Sequence, residues 1–282
     1  MLRLNGPLVT VDWLSRSLAD PTLRIADVRW SLAGPPGRER YAAGHLPGAV
    51  FLDLDTELST PGAPIDGRHP LPTPARLADV LGSHGIGDEH VVVAYDDVGG
   101  SVASRLWWLF RHLGRGSACG VLDGGIAAWA DAGLPLTTDV PSHPATTWTP
   151  EDARDDVVDA DGVAAADGHT LLLDARAPER YRGETEPIDR RAGHVPGAVS
   201  APWSGNLGPD GRFLPADALR ARYAKLGAEE RDVVVYCGSG VNATHDLLAL
   251  ELAGMDGGRL FAGSWSAWSS DPLRPVATGD RP

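Results

Sequence analysis

The sequence predicts an α/β fold in two tandem copies, each a mainly parallel sheet flanked by helices. Three observations lead there. Blocks of sequence recur in the same order in the two halves. Each half alternates short apolar, β-branched runs with helical stretches, the pattern of strand–helix–strand units. The chain has 282 residues, enough for two domains with cores of their own.

The repeats can be followed in order. Asp27-Val28-Arg29 returns as Asp174-Ala175-Arg176, and Glu39-Arg40-Tyr41 as Glu179-Arg180-Tyr181. Gly44-His45-Leu46-Pro47-Gly48-Ala49-Val50 returns as Gly193-His194-Val195-Pro196-Gly197-Ala198-Val199. Gly67-Arg68 before Leu71-Pro72 is echoed by Gly211-Arg212 before Leu214-Pro215. The strand Val91–Asp96 matches Val233–Cys237, and Asp123-Gly124-Gly125 matches Ala262-Gly263-Ser264. Order kept over so long a period marks a duplicated domain, not a solenoid. The expected division is a first domain at 1–138, a linker at 139–153 carrying Pro141, Pro144 and Pro150, and a second domain at 154–282.

Composition narrows the function. A net charge of −13 argues against nucleic acid and against an anionic membrane surface as partners. No apolar run reaches membrane-spanning length, and the opening residues do not read as a signal peptide. Two cysteines, Cys119 and Cys237, do not make a disulfide framework and suit a reducing cytoplasm. Lys225 is the only lysine, so arginines supply the cations for ligands. His45 and His194 occur in both copies of one turn and read as turn architecture, without metal-ligand spacing. Cys119 reads as a packed core thiol, and Trp107, Trp108, Trp265 and Trp268 as packing residues.

The second copy carries the chemistry. An apolar run, Val233 to Tyr236, ends in Cys237. The loop Gly238-Ser239-Gly240-Val241-Asn242 follows, and then a helical stretch from Thr244 to Leu252. Glycines let such a loop curl so that several backbone N–H groups converge on one point. At a helix N-terminus that point favours an anionic sulfur. In the first copy Asp96 takes the place of Cys237, so that copy is expected to be inactive. The second copy also gains about nine residues between Tyr181 and Gly193, bearing Arg182, Arg190 and Arg191. They are a candidate substrate wall or a solvated excursion.

These motifs together resemble the two-domain sulfurtransferases of the rhodanese family over nearly the whole chain. The resemblance implies two rhodanese-like domains, an inactive first and a catalytic second. It also implies a Cys237 persulfide that takes sulfane sulfur from a small donor and passes it to cyanide or a thiol, including a thioredoxin-like one, without a cofactor. The loop Cys237-Gly238-Ser239-Gly240-Val241 resembles the form associated with 3-mercaptopyruvate as donor, with thiosulfate next. By the same resemblance Gly238, Gly240, Val241 and Asn242 line the bound sulfur, Ser239 acts on the leaving group, and Arg180 pairs with the donor carboxylate. Asp55 and His69, from the first copy, shape proton traffic in the cleft. Members using mercaptopyruvate have a second arginine after a Glu-Pro pair. Here Glu186-Pro187 is followed by Ile188-Asp189, which leaves Arg190 and Arg191 as candidates for that contact.

Two other readings compete. A cysteine phosphatase needs an arginine six residues after the cysteine to wrap a phosphate dianion. Ala243 stands there, and the loop has no cation. The other is a non-catalytic module that binds partners or carries persulfide sulfur without turnover; the intact cysteine loop argues against a pure scaffold but is compatible with a relay to a protein acceptor.

Overall fold

A computed structural model describes residues 2–282. The chain separates into two compact units. One comprises the residues up to Ser59, Pro72–Arg154 and Pro209–Arg212; the other comprises Thr60–Leu71, Asp155–Gly208 and Phe213–Pro282. Thr60–Leu71 lies within the first sequence copy yet belongs to the second unit.

In the first unit, β1 (Leu8–Val9), β2 (Leu23–Asp27), β3 (Ala49–Phe51), β4 (Val91–Tyr95) and β5 (Cys119–Leu122) form a parallel sheet in the order β1-β5-β4-β2-β3. The helices are α1 (Val11–Ser17), α2 (Gly37–Ala43), α3 (Pro74–Ser83), α4 (Ala103–His112) and α5 (Gly125–Asp131). β4 is buried throughout, which is why it reads as an unbroken apolar run and not as an alternating one. Thr10 and Thr73 cap α1 and α3 through their hydroxyls. The proline-rich segment expected to be a linker packs along this unit. Thr146 N–H donates to Gly82, Glu151 N–H donates to Leu113, and Trp148 is buried against Phe110.

The second unit repeats the plan. β6 (Val157–Val158), β7 (Thr170–Asp174), β8 (Val199–Ser200), β9 (Asp232–Tyr236) and β10 (Arg259–Phe261) pair in parallel as β6-β10-β9-β7-β8. The helices are α6 (Ala160–Ala164), α7 (Pro178–Tyr181), α8 (Ala216–Leu226), α9 (Ala243–Leu252) and α10 (Ser264–Ser270).

The duplicated motifs do the same work in both units. The carboxylate of Asp27 takes the Arg29 guanidinium at 2.6 Å, as Asp174 takes Arg176 at 2.6 Å, all four side chains being buried. His45 stacks on Tyr41 and His194 on Tyr181, each at 3.8 Å, with each Nδ1 2.8 Å from that tyrosine's carbonyl oxygen. Both histidines are therefore spent on turn architecture.

The first unit also shows what the loop after the fourth strand is built to hold. Asp96 Oδ1 accepts from the amides of Val98 at 2.9 Å and Gly100 at 2.8 Å. Its Oδ2 accepts from Val102 at 2.8 Å and Ala103 at 2.9 Å. Burial pushes this carboxyl's pKa up, and the four amide donors oppose that. Four converging N–H groups leave no acceptor for a carboxyl proton, so the arrangement suits the anion.

α9 rests on a buried polar cluster. Asn206 Nδ2 donates to Asp246 Oδ1 at 2.7 Å, while Asn206 Oδ1 accepts from Tyr223 Oη at 3.0 Å and Arg222 Nε at 3.1 Å. Burial pushes the Asp246 carboxyl up to about 7.

Two outcomes follow from these clusters. Asp96→Ala strands four buried amides and should cost at least about 3 kcal/mol of stability in urea unfolding; a loss within experimental error would refute the cradle. Asp246 keeps its proton in the folded state long after the unfolded chain has released it. Its contribution should therefore erode stability as pH rises from about 4 to 7, by up to a few kcal/mol. Asp246→Asn should flatten the stability–pH curve over that interval, and parallel curves would contradict the assignment.

Candidate active site

Cys237 follows the last residue of β9 and is 2% exposed. Its loop is held from one side by the first turn of α10. Trp265 N–H donates to the Cys237 carbonyl at 3.0 Å, and Ser266 N–H to the Gly238 carbonyl at 2.9 Å. The Cys237 N–H donates to Ser264 Oγ at 3.1 Å, and that hydroxyl donates to Phe261 O at 2.9 Å. Ser264 has φ +53°, the only non-glycine at positive φ among the described residues. The first unit has Gly125, φ +57°, at the matching place. A buried serine in the left-handed region costs about 1 kcal/mol, and here its hydroxyl orients the backbone of Cys237.

Within the loop, Gly240 adopts φ +77°, and a Cβ there would lie 2.3 Å from the Ala262 carbonyl oxygen. No other residue fits. Gly99 of the first unit, φ +67°, matches it. Sequence register places the amides of Ser239, Val241 and Ala243 where Val98, Gly100 and Val102 hold Asp96, while the Thr244 N–H, at the place of Ala103, donates to the Val241 carbonyl at 3.0 Å. Val241 is buried, and its carbonyl accepts from Thr244 Oγ1 at 2.6 Å. Asn242 has right-handed backbone angles and makes no side-chain cap for α9, so the left-handed tolerance of asparagine is not used.

His69 reaches this loop. Its Nδ1 lies 2.7 Å from Ser239 Oγ, both residues being buried. The segment carrying it docks on α10: Gly67, φ +88°, sits so close to Gly263 that a Cβ would meet its carbonyl oxygen at 2.6 Å, and Arg68 N–H donates to Ser266 Oγ at 3.1 Å. His69 thus comes from the first sequence copy but from the second unit. Asp55 belongs to the first unit, where its carboxylate accepts from Trp30 Nε1 at 2.9 Å.

Charge gathers beside Gly238. A Cβ on that glycine would stand 3.0 Å from Arg68 Nη2 and 3.4 Å from Arg180 Nη1. Arg180 pairs with Glu186 at 2.7 Å and with Asp189 at 3.2 Å. Asp189 also pairs with Arg68. Glu186 accepts from Arg176 as well, at 3.3 Å. Sequence reasoning missed Arg68. Its signal was the adjacent His69, since a segment that delivers an imidazole to the loop delivers its neighbour too.

Of the two insertion arginines, Arg191 departs from the expectation. Arg191 spends its guanidinium on the carbonyls of Trp268, Ser269, Asp271 and Arg274, at 2.6–3.0 Å, and so closes the C-terminal end of α10. Four of its five N–H donors are thereby spent. Arg190 is exposed and has no hydrogen-bond or ion-pair partner among the described residues. Cys119 is fully buried in β5, and burial pushes its thiol pKa up, away from thiolate chemistry. Among the described residues, no group of three His, Cys, Asp or Glu side chains could hold a metal ion, and no helix is long and apolar enough to cross a membrane.

Comparison with known proteins agrees with the duplicated fold. The rhodanese-like domain model matches twice, at residues 10–132 and 159–271. The chain is 47% identical to a probable 3-mercaptopyruvate sulfurtransferase of Pseudomonas aeruginosa, over 98% of this chain and 99% of that one. It is 43% identical to a putative thiosulfate sulfurtransferase of Mycobacterium tuberculosis, over 92% of each. The crystal structure of a 3-mercaptopyruvate sulfotransferase, SseA from Escherichia coli, superposes with a TM-score of 0.81 at 30% identity, covering 93% of this chain and 99% of that one. Two matched domains, an aspartate-bearing loop in the first and a cysteine-bearing loop in the second place this chain in the rhodanese family.

Proposed function

We propose that this chain is a sulfurtransferase that carries sulfane sulfur on Cys237, with 3-mercaptopyruvate the favoured donor and thiosulfate the second. One observation carries the reading: a hydroxyl–imidazole pair, Ser239 and His69 at 2.7 Å, stands on the loop that Cys237 opens. A persulfide loop that only handled thiosulfate would have no proton to deliver. A mercaptopyruvate enzyme does.

The Cys237 thiolate attacks the sulfur of mercaptopyruvate, the S–S bond forms and the C–S bond breaks. The bonding pair leaves on the three-carbon fragment as the enolate of pyruvate. Ser239, backed by His69, donates the hydrogen bond or proton that this enolate takes up. The loop amides hold the anionic sulfur before and after transfer, as their counterparts hold the Asp96 carboxylate. An acceptor thiolate, or cyanide, then attacks the outer sulfur and restores Cys237. Arg180 holds the donor carboxylate. Asp55 keeps its place in this reading on the family resemblance alone. Two free cysteines and thiol acceptors fit a reducing compartment such as the cytoplasm.

Mercaptopyruvate should give the higher kcat/KM when both donors are compared at one acceptor concentration and one ionic strength. A higher value for thiosulfate would overturn the preference. Donor treatment should add about 32 Da to the Cys237 peptide in mass spectra, and Cys237→Ser should abolish that adduct while the protein stays folded. An adduct on the Cys119 peptide instead would remove Cys237 from its role.

A further inference from the structure

Two guanidiniums stand over Gly238 and share one carboxylate. Arg68 and Arg180 both pair with Asp189, one through each of its oxygens, Oδ1 and Oδ2. The Asp189 side chain is only 6% exposed. Arg68 is mounted firmly, through its own N–H on Ser266 Oγ and through the tight contact of Gly67 with Gly263. Asp189 lies in the 182–192 stretch, which has no helix or strand. Arg68 is anchored on α10, and the acid sits on a stretch without helix or strand, its N–H donated to Glu186 Oε1 at 3.1 Å.

We propose that Arg68 and Arg180 together form the seat for the donor's carboxylate, and that Asp189 is an internal carboxylate which occupies the seat until a donor displaces it. This rests on the sulfurtransferase reading. Two forked guanidiniums converging on one carboxylate is the geometry that recognises a carboxylate in general, and Asp189 satisfies it internally. Arg176 is committed to Asp174 and Glu186, so it does not compete. With Glu186 and Asp189 both charged, the two arginines are neutralised, and a compact dianion meets little net attraction. A donor carboxylate that takes the place of Asp189 meets both guanidiniums. Burial, aided by the Glu186 carboxylate, pushes the Asp189 carboxyl up while both arginines oppose it, which eases its release from the pair. Asp189 therefore sets a threshold for donor binding, and Arg68 is a specificity-determining residue.

The test uses Arg68→Ala and Asp189→Asn in the full chain. Three measurements are made on each: turnover of 3-mercaptopyruvate, the rate at which uncharged dimethyl trisulfide caps the Cys237 thiolate (Cys–S–S–CH3 forms and CH3SS− leaves), and equilibrium titration with 3-mercaptopropionate, a carboxylate that donates no sulfur. Arg68→Ala should raise KM for 3-mercaptopyruvate about tenfold and leave the trisulfide reaction within about twofold. Asp189→Asn should lower the same KM by about threefold or more, with kcat little changed. The titration should rank Asp189→Asn tightest, wild type next and Arg68→Ala weakest. If both variants weaken binding, Arg68 merely holds the 182–192 stretch in place and the proposal falls. An equal loss with the uncharged trisulfide overturns it too. If the wild type turns over no donor, the sulfurtransferase reading fails on its own, and the titration still decides the seat.

Discussion

Everything in the catalytic unit is arranged around one constraint: backbone amides that converge on a point must find an anion there. A curled loop after the fourth strand of each sheet aims its N–H groups inward, and a buried unpaired amide costs roughly 1–3 kcal/mol. The first unit meets the demand permanently, with its own Asp96 carboxylate accepting from four amides. The second unit leaves the matching position to Cys237. One duplicated scaffold thus supports a locked ion in one copy and a reactive sulfur in the other, with Asp96 and Cys237 at the same place in the loop.

The loop keeps its shape because its neighbours leave it no other. The first turn of α10 binds the Cys237 and Gly238 carbonyls, Ser264 binds the Cys237 amide, and Gly240 fits against the Ala262 carbonyl. Arg191 closes the far end of that helix. A strained Ser264 is tolerated because its hydroxyl replaces a freedom that Gly125 retains in the first unit. Stability is given up locally so that the thiol is held in one place.

Much of this was legible in the sequence, and the reason is locality. The repeat, the strand–loop–helix around Cys237 and the paired turns of His45 and His194 are all encoded within short stretches whose spacing fixes their geometry. What escaped detection depends on contacts distant in sequence. Thr60–Leu71 reads as part of the first copy, yet its docking on α10 joins residues 198 positions apart. Arg68 was overlooked for that reason. Arg190 and Arg191 sit where a substrate arginine was expected, but Arg191 is drawn to the carbonyls at the end of α10. The linker prolines suggested a free connector, while the backbone of Thr146 and Glu151 finds partners on the first unit. Periodicity carries no information about any of these.

The central claim is that the amides of Ser239, Val241 and Ala243 form the cradle of a Cys237 persulfide. A crystal structure of the protein after reaction with 3-mercaptopyruvate tests it most directly. The account predicts a second sulfur on Cys237 with at least two of those amide nitrogens within about 3.5 Å, in the manner of the Asp96 carboxylate. A persulfide turned away from the loop, or extra sulfur density at Cys119 with none at Cys237, would contradict it.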